Sequence, residues 1–211
     1  MARLLDLGLD KLRGVILDMA EISEKTVMTS IQAYTEGKDL REEVSKWSEE
    51  LRILQDEVSE LAVELIARYQ PVASDLRFIK SSMEITYGFS RFGRYALAIV
   101  DVLNMFGDLS KCDHSMILRM AVKVRDMIYK SIEAFVKRDV ELARTLTKRD
   151  DEIDDMYKDY VRKIIENKGG DLRCSVSATL ILRYLERIAD HANSIGETVV
   201  YIVTGESSPR R

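Results

Sequence analysis

The chain has 211 residues, 46% of them hydrophobic and 32% charged, with a formal net charge of −4. That apolar share excludes a disordered chain and suffices for one large or two small cores. The acidic balance, without any basic run, excludes nucleic acid as the main partner, and the terminal basic pair, Arg210-Arg211, reads as a frayed tail.

Apolar residues recur with helical rather than strand spacing almost throughout, which predicts an all-α protein of six helices. The two prolines, Pro71 and Pro209, leave long stretches free for helix. The first helix is expected from about residue 5 to 36 and the second from about 39 to 70. The third opens at Pro71, a residue suited to a first turn, and runs to about Phe106. Gly107 to Asp113 is the clearest break. Three more helices are expected at about 114–138, 139–168 and 171–203. Gly169-Gly170 would end the fifth and Gly205 the sixth, with Asp139 and Asp171 as N-terminal caps or first-turn acids.

The N-terminal Met1–Asp6 is interrupted by charge and has no signal-peptide pattern. No stretch approaches the roughly 20 apolar residues that span a bilayer, and the most apolar one, Tyr95 to Phe106, contains Asp101. Cys112 and Cys174 are far apart and fit no metal-binding spacing. They are expected to be reduced structural thiols in a reducing compartment, so the protein is expected to be cytoplasmic, without direct membrane insertion.

Two sets of three helices suggest a duplication. Ser30-Ile31-Gln32-Ala33-Tyr34 returns as Ser131-Ile132-Glu133-Ala134-Phe135. Asp75-Leu76-Arg77 returns as Asp171-Leu172-Arg173, 96 positions later. At that same offset Phe89-Ser90-Arg91-Phe92-Gly93-Arg94-Tyr95-Ala96 lies over Leu185-Glu186-Arg187-Ile188-Ala189-Asp190-His191-Ala192. The expected architecture is two pseudo-repeated antiparallel three-helix bundles, 1–108 and 109–205, followed by a flexible tail, 206–211.

The sixth helix carries two stripes. Leu185, Ile188, Ala192, Ile195, Val199 and Ile202 form a core face. Beside it run Arg183, Glu186, Asp190, Asn193 and Glu197. Glu186 and Asp190, four apart, point the same way, as do Asp150 and Asp154 on the fifth helix. If these helices are antiparallel neighbours, Asp150 falls near Asp190 and Asp154 near Glu186. Converging carboxylates repel unless a cation joins them, and oxygen-rich sets suit magnesium, manganese or iron and admit zinc. The simpler reading is a solvated acidic face paired locally with Arg183, Arg187 and Lys158.

Two blocks give the chain a family resemblance: Ala67-Arg68-Tyr69-Gln70-Pro71-Val72-Ala73-Ser74-Asp75-Leu76-Arg77 and Arg183-Tyr184-Leu185-Glu186-Arg187-Ile188-Ala189-Asp190-His191-Ala192-Asn193-Ser194-Ile195. They resemble the PhoU family, regulators of phosphate uptake and phosphate signalling, over nearly the whole length. The second block contains the family's Glu/Asp-x-x-x-Asp motif in its usual setting. The resemblance implies two three-helix bundles and a multinuclear metal cluster, iron or zinc, on Asp150, Asp154, Glu186 and Asp190, flanked by Asn193 and Glu197. It also implies the ATP-binding subunit of a phosphate transporter, a phosphate-sensing histidine kinase, or both, as partners, which would bring the protein to the membrane periphery.

The first half departs from the pattern. Ser90 and Arg94 stand where the motif has acids, and Ser48 and Arg52 align with the acids of the neighbouring helix. Arg cannot ligate a cation. This face is expected either as ordinary surface, with Arg52 and Arg94 paired to Glu49, Asp56 or Glu84, or as an anion or partner-carboxylate site on Arg52 and Arg94.

His191, adjacent to Asp190 but about 100° round the helix, is expected as a hydrogen-bonded surface residue, and His114 as a turn residue. Trp47 and Met19, Met28, Met83, Met105, Met116, Met120, Met127 and Met156 are expected in the core. No Gly-rich phosphate loop, Glu-x-x-His pair or nucleophile with an evident base is present. The sequence therefore points to a non-enzymatic regulator that acts by metal-linked binding, as a homodimer. The alternatives are a metal-free helical adaptor and a carboxylate-bridged metallohydrolase.

Overall fold

The computed structural model describes residues 4–166 and 171–206. Six helices follow in order: α1 (Leu4–Glu36), α2 (Arg41–Tyr69), α3 (Ala73–Phe106), α4 (Ser115–Lys137), α5 (Val140–Glu166) and α6 (Leu172–Thr204). The described residues contain no strand. The expected stop at Gly169-Gly170, Pro209 and the Arg210-Arg211 tail lie outside the described residues.

The helix ends follow local chemistry. Asp139 Oδ1 accepts the Leu142 amide at 2.9 Å, and Asp171 Oδ1 accepts those of Arg173 and Cys174. Gly107 and Gly205 close α3 and α6 at positive φ. Pro71 does not open α3. Together with Val72 it forms an extended lead-in, and the helix begins at Ala73. The backbone before α3 first has to reverse direction, with Gln70 left-handed as the C-cap of α2.

Within each half the three helices pack against one another, and α3 runs along α6 to join the halves. Their buried side chains form one continuous core, from Leu12 and Ile16 of α1 through Phe89 and Ile99 of α3 to Leu185 and Ile195 of α6. The Tyr34 hydroxyl lies 3.4 Å from Ser177 Oγ, linking α1 directly to α6. All six apolar-stripe residues of α6 are buried. Of the methionines expected inside, Met105, in the last turn of α3, is 73% exposed.

The two cysteines are not free thiols. Cys112 and Cys174 form a disulfide. The 107–114 connection folds back onto the first turn of α6, with Arg173 Nη2 donating to the Asp108 carbonyl at 2.7 Å. This brings the two Cα atoms to 5.5 Å, within bridging range, despite 62 residues of separation. The inference from reduced thiols to a reducing compartment falls with that reading. No helix among the described residues is long and apolar enough to cross a membrane.

Candidate metal centre

The acids sit where α5 and α6 approach closely. A Cβ on Gly196 would lie 2.5 Å from Leu146 Cδ1 and 3.1 Å from the Ala143 carbonyl, so only glycine permits this separation. Spacing of four then turns Asp150 and Asp154 of α5 and Glu186 and Asp190 of α6 into the same seam. One carboxylate oxygen from each of Asp154, Glu186 and Asp190 lies within 4.8 Å of the others. Asp150 borders this group. Its Oδ2 accepts from Asn193 Nδ2 at 3.4 Å, and Asn193 Oδ1 in turn accepts from Thr147 at 3.1 Å. Glu197 does not join them. It lines a groove between α3 and α6.

The seam is not a solvated face. Asp150 is 8% exposed, Glu186 7% and Asn193 6%, and Asp150 Oδ1 and Glu186 Oε2 are buried with no hydrogen-bond partner. Burial, followed by repulsion from Asp190, pushes Asp150 up to about 7. Burial and Asp190 likewise push Glu186 up to about 7, and burial also raises Asp190. Three cations answer from the rim: Arg183 to Glu186 at 2.6 Å, Arg187 to Asp190 at 3.0 Å and Lys158 to Asp154 at 3.1 Å. They leave the two buried oxygens unsatisfied. A cluster of hard oxygen donors with orphaned lone pairs fits a hard or borderline cation.

His191 is half-buried at the edge of the α3–α6 groove. Its ring stacks on Tyr95 and meets Tyr87 edge-on, both at 5.9 Å between centroids. Burial, then the positive charges of Arg91 and Arg187, hold its pKa down to about 4. His114 starts α4 with its ring against Tyr34, and Trp47 is half-buried beneath Lys25.

The first-half counterpart is built differently. Ser48 backs onto Gly93, where α2 and α3 come closest. Arg52 is gripped by Glu49 at 3.0 and 2.7 Å and by Asp56 at 2.8 Å. Arg94 is exposed and forms no ion pair among the described residues. A feature absent from the sequence reading lies at the junction of the halves. Arg91 Nη2 donates to the Tyr95 hydroxyl at 2.5 Å, and the Arg187 guanidinium interacts with that same hydroxyl. The signal was available: 91 and 187 stand 96 apart, inside the matched blocks, so the duplication places both arginines at the same helix position.

The PhoU domain model matches twice, over residues 16–103 and 117–199. The chain belongs to the PhoU family. A phosphate-specific transport system accessory protein PhoU homolog of Clostridium acetobutylicum is 29% identical, covering 97% of this chain and 96% of its own length. Homolog 1 of the same name from Methanothermobacter thermautotrophicus is 30% identical over 93% of this chain and 94% of its own. The crystal structure of PhoU from Pseudomonas aeruginosa superposes with a TM-score of 0.86 at 27% identity, over 95% of this chain and 99% of that one. The all-α, two-bundle architecture expected from the sequence is thus that of PhoU structures. PhoU proteins are regulatory accessory proteins rather than enzymes, which leaves the metallohydrolase without support.

Proposed function

We propose that the chain regulates phosphate uptake and phosphate signalling by metal-linked protein–protein binding in the cytoplasm. The observation that carries the metal is the pair of buried, unpartnered carboxylate oxygens on Asp150 and Glu186, beside the acids of Asp154 and Asp190. Such groups destabilise the fold unless a cation neutralises them. The family resemblance favours iron or zinc, while an all-oxygen donor set suits magnesium, manganese or iron and admits zinc. Asn193 orients Asp150 from the flank. The relatives' names, as accessory proteins of phosphate-specific transport, support a docking partner in that system. The ATP-binding subunit of the transporter and a phosphate-sensing histidine kinase are the two candidates. Leu118, Val122, Tyr129 and Val136 form an exposed stripe along α4, at spacings of four and seven, which supports a homodimer through that helix.

A second reading, a metal-free helical adaptor, draws on the three rim cations that already pair with Glu186, Asp190 and Asp154. Metal analysis of the purified protein, wild type against Glu186→Ala with Asp190→Ala, separates the two. Metal present in the wild type and lost in the variant, with partner binding lost too, supports the regulator. No metal in either, with partner binding intact, supports the adaptor.

A further inference from the structure

We propose that Arg91 and Arg187 form a binding site for a free dianionic tetrahedral oxyanion, phosphate or sulfate, at the junction of α3 and α6. The two helices are antiparallel here, and the 96-residue repeat places the two guanidinium groups on one phenol, Tyr95, which is itself buried. A phenol oxygen is neutral and matches neither charge, so Arg187 is balanced only by Asp190 at 3.0 Å and Arg91 by no acid among the described residues. Arg91 has no carboxylate partner among the described residues, and its Nε is buried without a hydrogen-bond partner. Arg187 spends one nitrogen on Asp190 and keeps a largely open side chain. The arrangement therefore holds guanidinium N–H donors that no carboxylate takes up and one uncompensated positive charge, which an oxyanion with several acceptor oxygens satisfies better than chloride does.

The site is reachable. Tyr87, one turn before Arg91, and His191, one turn after Arg187, both line the α3–α6 groove of about 730 Å³. The two arginines lie one turn beyond these groove residues, and the Arg187 side chain is 44% exposed. The site uses no α5 carboxylate and touches the candidate metal ligands only through the Arg187–Asp190 pair, which leaves Arg91 as its independent member.

The test is calorimetric titration of the full chain with inorganic phosphate at pH 8, after chelation and dialysis, with sulfate in parallel and chloride at matched ionic strength as control. Saturable binding of phosphate, sulfate or both, at one site per chain and absent with chloride, is expected. Arg91→Gln, which touches no carboxylate, should weaken it by about tenfold or more, the loss typical of a charge-assisted hydrogen bond. Tyr95→Phe should retain or strengthen binding, because the competing hydroxyl is gone. Thermal shift by the same anions gives a second readout, and Arg187→Gln serves if Arg91→Gln does not fold. No saturable binding in the wild type, or equal affinity in the arginine variants, overturns the proposal. Metal content measured on the same samples before chelation should be unchanged by Arg91→Gln, so failure of this site and failure of the metal reading are told apart.

Discussion

At equivalent places in its two halves, the chain carries opposite chemistry. Ser48, Arg52, Ser90 and Arg94 on α2 and α3 face the same way as Asp150, Asp154, Glu186 and Asp190 on α5 and α6. Both pairs of helices close to within glycine contact, at Gly93 in one and Gly196 in the other. The first half shows that this packing needs no acids. The second half carries them at a penalty, with buried oxygens unpartnered and two carboxyls displaced to about 7. Groups that weaken a fold which works without them point to function rather than architecture.

The strongest test of the equivalence lies in the shared core. Ile99 and Ile195, 96 positions apart and both buried, should each lose about 2–5 kcal/mol of stability on substitution by Ala. Because α3 and α6 belong to one core, both variants should unfold in a single transition in denaturant. Two separated transitions would mean the halves are independent units. Next in size is the bridge between the α3–α4 connection and α6. Reducing Cys112–Cys174 should lower stability by about 2–4 kcal/mol, since a loop of more than 60 residues is released in the unfolded chain. Matched melts with and without a reductant measure it.

The acids give a third, signed prediction. Asp150 and Glu186 titrate near 7 in the folded protein and near 4 when unfolded, so between those values the folded state holds more protons. Stability of the metal-free protein should therefore fall as pH rises from about 4 to about 7 and level off above. Asp150→Asn gives the second half an uncharged side chain like Ser48 in the first. It breaks no ion pair among the described residues and should stabilise the metal-free chain at pH 8 by roughly 1–3 kcal/mol, with little gain at pH 4. Urea titrations at the two pH values decide it. A variant destabilised at pH 8 would mean that a cation already satisfies this carboxylate.

Helix positions were legible because apolar spacing records a one-dimensional period, and the four-residue spacing of Glu186 and Asp190 fixed their common face. Four things were not legible. Whether α3 and α6 share a core depends on how two helices meet, which spacing on either one does not encode. The Cys112–Cys174 bond depends on a connection folding back, and sequence separation misled there. The split of the acids into a close trio of Asp154, Glu186 and Asp190 with Asp150 alongside depends on axial register to a fraction of a turn. The depth of the seam also had to be seen, since a polar stripe reads as solvated until its neighbours are in place.

The smallest effect is expected on the other side of the comparison. Arg52→Ala removes the guanidinium that Glu49 and Asp56 share, leaving two exposed carboxylates beside Ser48. The pairs are within one helix and more than half exposed, so stability should change by less than about 1 kcal/mol and less still in high salt. Metal content should not change, because the nearest acids in this half do not converge with any from α3. Should Arg52→Ala instead create metal binding, the first half would be a masked copy of the second, its arginine holding apart acids that α2 still supplies.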